Sequence, residues 1–159
     1  MNPTRTAVDP AAAQSFYDRW LDAWNQEHVD RVLAIVTDDF ALSSPTTRLT
    51  GMRVESAVAI RDYIAYIRGA YPDLRFEQTG SPMFAIDTPT VAFPWRGTGT
   101  FDGTLSPPGI AGTGLSFDFT GVEVFTFRGD RVCHLRASYD LLRMMRQMGV
   151  LSGSWAPED

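Results

Sequence analysis

Lysine is missing from all 159 residues, so every one of the 14 basic side chains is an arginine. That excludes Schiff-base chemistry, a lysine general base and a Walker-type phosphate site. Cysteine is nearly missing too. Cys133 cannot close an internal disulfide, which fits a reducing cytoplasm, and its place within a strand pattern reads as a buried, inert thiol. The two histidines, His28 and His134, lie far apart, and no His, Cys or acidic spacing resembles a metal site. No metal is therefore expected. No apolar run approaches the roughly 20 residues of a membrane span, and the opening "MNPTRTAVDP" lacks the apolar centre of a signal peptide. A cytoplasmic protein is expected. The net charge of −5 argues against nucleic acid and anionic membranes as partners.

What is present suits one globular domain: 44% hydrophobic and 21% charged residues. The expected organisation is a disordered start over 1–10, a single domain over 11–151 and a flexible tail over 152–159. From Ala11, "AAAQSFYDRWLDAWNQ" sets Phe16, Trp20, Ala23 and Trp24 on one helical stripe behind Asp9-Pro10. "HVDRVLAIVTDDF" repeats the spacing with Val29, Val32, Leu33 and Val36, predicting a second helix ended by Thr37-Asp38-Asp39. "FALSSP" reads as a short strand and "TTRLTGM" as a loop. A third helix follows, capped by Ser56, striped by Ala57, Ile60, Ile64 and Ile67, and stopped by Gly69 and Pro72. From there the pattern turns to strands: two short ones, the long runs 90–101 and 114–127, and "RVCHLRASY". Turns are expected at Asp87-Thr88-Pro89 and Arg128-Gly129-Asp130. The Gly/Pro-rich loop 102–114 is the one candidate lid, and a last helix opens at Asp140. Helices gathered before a meander predict an α+β fold, with a curved sheet over the helices.

Strand parity then selects a pocket face. Phe117, Phe119, Gly121, Glu123, Phe125 and Phe127 alternate with Ser116, Asp118, Thr120, Val122, Val124 and Thr126. A row of phenylalanines cannot face water, so it lines the concave side, and Glu123 sits alone in an aromatic wall. There it must be paired, hydrogen-bonded or shifted upward in pKa. The same parity puts Cys133, Leu135, Ala137 and Tyr139 inside, with His134 and Arg136 outside. Val91, Phe93 and Trp95 belong inside, which turns Arg96 outward unless a bulge at Pro94 or Gly97 reverses it.

Several stretches, "FYDRWLDAWNQEHVDRVLAIVTDDFALSSP", "YPDLRFE", "RGTGTFDGTLSPPGIAGTGLSFDFTGVEVFTFRGDRV" and "YDLLRMMRQMGVL", together resemble the SnoaL-like polyketide cyclases of the NTF2-like superfamily. The resemblance spans about Ser15 to Leu151. It implies a cone-shaped α+β barrel, a curved and mostly antiparallel sheet wrapped over N-terminal helices, with a pocket between first helix and sheet. It also implies a homodimer through the sheet's outer face. The family cyclases close rings by intramolecular aldol chemistry with an acidic general acid/base and no cofactor. Their usual acid aligns with Ala137, so that carboxylate is absent. The Arg-x-Asp pair of the related epoxide hydrolases is reduced to Arg96-Gly97-Thr98, and the His often found near "GTGTF" is missing.

The expected function is a cofactor-independent cyclase or isomerase acting on a hydrophobic polycyclic or polyketide-derived metabolite. Glu123 is the candidate proton carrier. Asp140, where the family also has Asp, is a second catalytic candidate that reads equally as a helix N-cap. Tyr17, Trp20, Trp24, Phe93, Trp95, Phe119 and Tyr139 are candidate substrate-binding residues, with Arg96 and Arg136 as carboxylate or carbonyl partners if they reach the pocket. Met144, Met145 and Met148 read as adaptable packing. Two rivals stand beside this reading: a non-catalytic binder of small molecules, and an epoxide hydrolase or epoxide-opening cyclase, which needs a second pocket carboxylate.

Overall fold

The computed structural model describes residues 8–26 and 28–151. Helix α1 (Pro10–Asn25) starts where the sequence supplies a cap: the Asp9 carboxylate accepts from the Ala12 N–H at 2.9 Å, and Pro10 occupies the first turn. Asp9 and Pro10 thus belong to the domain and not to a disordered start. The rest of the expected start, residues 1–7, and the expected tail, 152–159, lie outside the described residues. The buried stripe of α1 is Ala13, Phe16, Tyr17, Trp20, Ala23 and Trp24.

The second helix is shorter than its apolar spacing predicts. It is a 3-10 helix of six residues, Val29–Ala34, and at Val36 the chain is already in strand β1 (Val36–Ser43). The run Val-Leu-Ala-Ile-Val is rich in β-branched residues, and pairing with a neighbouring strand outweighs weak helical periodicity. The supposed loop after it contains a helix, α2 (Pro45–Thr50). Ser44 and Thr47 cap it reciprocally, Pro45 takes the first position, and Gly51 at φ 71° ends it. Helix α3 (Ala57–Ala70) begins at Ser56, which accepts from the Ala59 N–H at 3.0 Å. It continues through Gly69 and ends just before Pro72.

Strands β2 (Arg75–Gln78), β3 (Met83–Phe84), β4 (Thr90–Thr100), β7 (Ser116–Arg128) and β8 (Arg131–Tyr139) join β1 in one sheet of order β1-β8-β7-β4-β2, with β3 pairing β4. The β1–β8 pair is parallel and the others are antiparallel. The sheet is curved but does not close, since β1 and β2 remain its edges. The α+β arrangement is as expected, a curved and mostly antiparallel sheet wrapped over the N-terminal helices. Its concave side packs on α1 through ring contacts such as Tyr17 on Phe93, with centroids 4.1 Å apart, and Phe16 on Phe125 at 5.0 Å.

Strands β4 and β7 pair without a slip from Thr90↔Thr126 to Thr100↔Ser116. No bulge therefore intervenes at Pro94 or Gly97. The slip falls instead between β7 and β8, where Thr126 faces His134 and Phe127 faces Val132. Cys133 is the extra residue. It is half-buried, its thiol donates to the Thr126 carbonyl at 3.5 Å, and Val132 takes the inward position that parity assigned to Cys133.

Loop 102–114 folds into a small hairpin, β5 (Thr104–Leu105) with β6 (Ile110–Ala111), docked on the end of α3. The Gly103 N–H donates to the Ala70 carbonyl at 3.0 Å, and the Tyr66 hydroxyl donates to the Pro107 carbonyl at 2.6 Å. A Cβ on Gly103 would fall 1.9 Å from the Gly69 carbonyl oxygen, so only glycine permits this approach. The final helix, α4 (Leu141–Gln147), closes the open end of the cone.

Candidate functional site

The alternation along β7 is realised in space. Phe117, Phe119, Phe125 and Phe127 are buried on the concave side, and Glu123 lies among them with 7% of its surface exposed. Burying each ring is worth about 1.5–3 kcal/mol, which pins the strand's register and so fixes the direction of the glutamate. In that register Glu123 has Phe93 of β4 on one side and Ala137 of β8 on the other. The small Ala137 side chain leaves the carboxyl room on the β8 side.

A hollow opens in front of Glu123. It contains about 610 Å³ of atom-free space, mouth included, of which the centre of a water molecule reaches about 70 Å³. Helix α1 contributes Trp20 and Trp24, α3 contributes Tyr63 and Ile67, and β4 contributes Trp95. Phe119, Ala137 and Tyr139 complete the sheet side, and Met144 of α4 closes the end. Trp95 lies over a gap in β7: a Cβ on Gly121 would sit 2.5 Å from the Trp95 ring and 2.6 Å from the Ser138 carbonyl oxygen.

The hollow's hydroxyls are largely spent on one another. Tyr139 shares a short hydrogen bond with the Thr46 hydroxyl, and the Ser44 hydroxyl is occupied in capping α2. Its indoles and its carboxylate are not. Trp20 Nε1, Trp24 Nε1, Trp95 Nε1 and Glu123 Oε2 are all buried without a protein partner. Burial pushes the Glu123 pKa up to about 8; the nearby Trp20 N–H pulls the other way but stops short of a hydrogen bond. Behind this wall the Tyr17 phenol is raised above its ordinary value, by burial first and then by the Glu123 charge. A proton-carrying carboxyl in an apolar hollow, poised near neutrality, is suited to general acid/base work.

Not every expected residue reaches the hollow. Arg96 stands on the outer face, 3.7 Å from Glu77 and 3.6 Å from Asp118, and Arg136 is likewise exposed there. Strand parity separates both from the pocket, so neither can touch a ligand in it. Asp140 is the exposed N-cap of α4, accepting from the Arg143 N–H at 2.9 Å. Tyr17 and Phe93 stack on each other behind the lining and do not form part of it. Trp20, Trp24, Trp95, Phe119, Glu123 and Tyr139 do come together. The sequence reading missed Ser44, Thr46, Tyr63 and Tyr71. Two signals were available: the Ser-Pro-x-Thr start of α2, and Tyr63 lying on the same stripe as Ile60, Ile64 and Ile67.

Thr46 and Tyr71 also line an outer chamber of about 980 Å³ of atom-free space, between α2, α4 and the docked hairpin. Its other walls include Leu49, Tyr66, Pro107, Ile110, Met145 and Met148. Among the described residues that line the two chambers, Glu123 is the one charged side chain. No group of three or more His, Cys, Asp or Glu among the described residues is placed to hold a metal ion.

A family model described as a SnoaL-like domain matches residues 17–135. The chain belongs to the SnoaL-like family. Solved structures agree on the fold. TsrD from Streptomyces laurentii superposes with a TM-score of 0.74 at 16% identity, covering 91% of this chain and 99% of its own. A SnoaL-like polyketide cyclase candidate from Jannaschia sp. CCS1 gives 0.74 at 18% identity, with 94% and 100% covered. A protein with a ketosteroid isomerase-like fold from Catenulispora acidiphila gives 0.68 at 16% identity, with 89% and 97% covered. The fold is therefore the NTF2-like cone. A comparison of the sequence with curated proteins finds no match. The SnoaL-like chain thus carries its buried carboxylate on β7, next to Ala137, where the family resemblance places the usual acid on β8.

Proposed function

We propose that this SnoaL-like protein is a cofactor-independent enzyme of the cyclase or isomerase type, acting on a hydrophobic, polycyclic or polyketide-derived small molecule. Glu123 is its proton carrier. The observation that carries the reading is a single carboxyl, buried among aromatic rings, lacking a partner on Oε2 and facing an otherwise uncharged hollow. As carboxylate it takes a proton from carbon next to a carbonyl; as acid it returns that proton to another carbon or to the new alkoxide during ring closure. Tyr139, tied to Thr46 at the junction with the outer chamber, is the hydroxyl best placed to support the substrate. The polyketide-cyclase assignments of several structural neighbours support the substrate class.

The test is turnover of polyketide-derived cyclisation precursors by the parent protein and by Glu123→Gln. Loss of about 10²–10⁴-fold is expected, the range for removing a general acid or base. Undiminished turnover by the variant removes Glu123 from the mechanism. The pH profile distinguishes its two roles. A rate-limiting base step rises as pH passes about 8, and a rate-limiting acid step falls there.

Ala137 in place of the usual acid, and the small water-accessible part of the hollow, favour a second reading as a non-catalytic binder. A ligand that raises the melting temperature with no product formed would support it. The epoxide-opening alternative has no support, since among the described lining residues Glu123 has no second carboxylate beside it. A homodimer through the outer face of the sheet, where Val122 and Val124 are half-buried, completes the proposal. Sedimentation at micromolar concentration tests it, and a clean monomer counts against it.

A further inference from the structure

We propose that the indole N–H groups of Trp20, Trp24 and Trp95 are the carbonyl-recognition elements of the hollow. They donate hydrogen bonds to oxygens of a neutral substrate, and Trp20 holds the carbonyl oxygen beside Glu123. The last clause rests on the acid/base reading of Glu123; the recognition itself does not.

Three facts lead here. First, all three described tryptophans line one hollow, each at least nine-tenths buried, and each has an indole nitrogen without a protein partner. Leaving a buried donor unsatisfied is costly, so three on residues lining one cavity is unusual for groups that merely fill a core. Second, an indole donates only, and the neighbouring hydroxyls of Ser44, Thr46 and Tyr139 already bond to protein groups. The residues that line the hollow therefore carry unmet donors, which the acceptors of a bound molecule can satisfy. Third, no Arg or His is among the described residues lining either chamber, so an anionic carboxylate or phosphate would be buried without a counter-charge. Neutral carbonyl oxygens on an apolar skeleton satisfy all three conditions.

The chemistry balances. When Glu123 removes a proton from the carbon next to a carbonyl, the C–H electron pair forms the new C=C bond. The carbonyl π pair moves onto the oxygen, where the Trp20 N–H meets the developing charge. The proton stays on Glu123 until it returns to carbon or to an alkoxide. Trp20 is assigned here because it lines the hollow with Glu123 and its N–H lies near enough to that carboxyl to act on it without completing a hydrogen bond.

The experiment compares affinities for 1-indanone and for indane, which differ by the carbonyl alone. The parent protein and Trp20→Phe, Trp24→Phe and Trp95→Phe are measured by calorimetry, together with the infrared carbonyl stretch of bound 1-indanone. The parent should prefer the ketone and lower its stretching frequency relative to hydrocarbon solvent. Trp20→Phe should reduce the ketone-to-hydrocarbon affinity ratio by about two- to tenfold and return the stretch toward the solvent value. A ratio unchanged in all three variants overturns the proposal. A fall confined to Trp24→Phe or Trp95→Phe keeps carbonyl recognition but removes Trp20 from the reacting carbonyl. Should the variants not fold, the unaltered protein still decides: equal affinities, an unshifted stretch, or no ketone binding up to its solubility limit each overturn the proposal. Glu123→Gln keeps all three indoles. Ketone preference in that variant, with turnover unaffected by the substitution, would sink the acid/base reading while leaving recognition intact.

Discussion

Strand β7 carries two carboxylates five residues apart, and the odd spacing sends them to opposite faces of the sheet. Asp118, on the outer face, is surrounded by donors. Its carboxylate accepts from Gln147 Nε2 at 2.8 Å and from Arg143 Nη2 at 3.0 Å, with Arg96 3.6 Å away. Gln147 and then Arg143 hold its pKa below the usual carboxylate range. Glu123, on the concave face, has no cation near it among the described residues, and burial moves its pKa the other way, to about 8. The same functional group on the same strand is a latch between β7 and α4 in one case and a proton store in the other. The difference lies in which side of the pleat each occupies, and so in whether water and charged partners can reach it.

Moving the carboxyl across the sheet is the strongest way to break this contrast. The double change Glu123→Val with Val124→Glu keeps composition and strand length but places the acid on the outer face. Turnover should fall as far as in Glu123→Gln, about 10²–10⁴-fold; retained activity would mean the face does not matter.

Stability against pH sharpens the comparison next. Folded Glu123 keeps its proton up to about 8, whereas the unfolded chain releases it near the ordinary value of 4.5. The unfolded state therefore binds fewer protons between those limits. Stability is greatest below the lower limit and falls as pH rises, by about 1.4 kcal/mol per unit in the ideal case, until pH passes about 8. Glu123→Gln should flatten this slope in thermal unfolding followed from pH 5 to 9, and should be the more stable protein at the alkaline end. An unchanged slope would mean the carboxyl is better solvated than its burial implies.

A smaller effect separates the two faces by volume. Gly121→Ala puts a methyl group against the Trp95 ring and the Ser138 carbonyl and should cost about 1–3 kcal/mol. Thr120→Ala, one residue away on the exposed side, should stay within about 0.5 kcal/mol. Equal losses in chemical denaturation would refute the tight contact.

The smallest change expected is in Asp118→Asn. Its depressed pKa means that its contribution is present above the ordinary aspartate value and is lost as pH falls through the folded one, opposite in sign to Glu123. Exposure and salt screen it, so the variant should differ from the parent mainly at low ionic strength.

Much of this was legible in the chain. The stripes of α1 and α3 and the alternating phenylalanines of β7 are strong because each repeats one period over many residues, and each repeat buries a ring or branched side chain. The place of Glu123 followed from parity alone, as did the outward turn of Arg96 and Arg136. Other features were not legible. Val29, Val32, Leu33 and Val36 have helical spacing, yet β8 offers Val36 and Leu42 a partner strand, and that pairing won. Cys133 left its expected face because it is itself the extra residue in the strand pairing, which no local periodicity announces. The ring of Ser44, Thr46, Tyr63 and Tyr71 gathers residues from α2, α3 and their caps around the hollow.

By itself the sequence determined which residues share a face, because side-chain direction along a strand or helix is a local consequence of backbone geometry. It also determined that a lone acid sits among aromatic rings. Only the tertiary structure decided what that acid confronts. The partnerless indoles, the alanine at its side, and the Arg and Gln that occupy Asp118 all come from elements distant in the chain. Electrostatic environment and cavity shape depend on through-space neighbours, and these exist only once the sheet has curved over its helices.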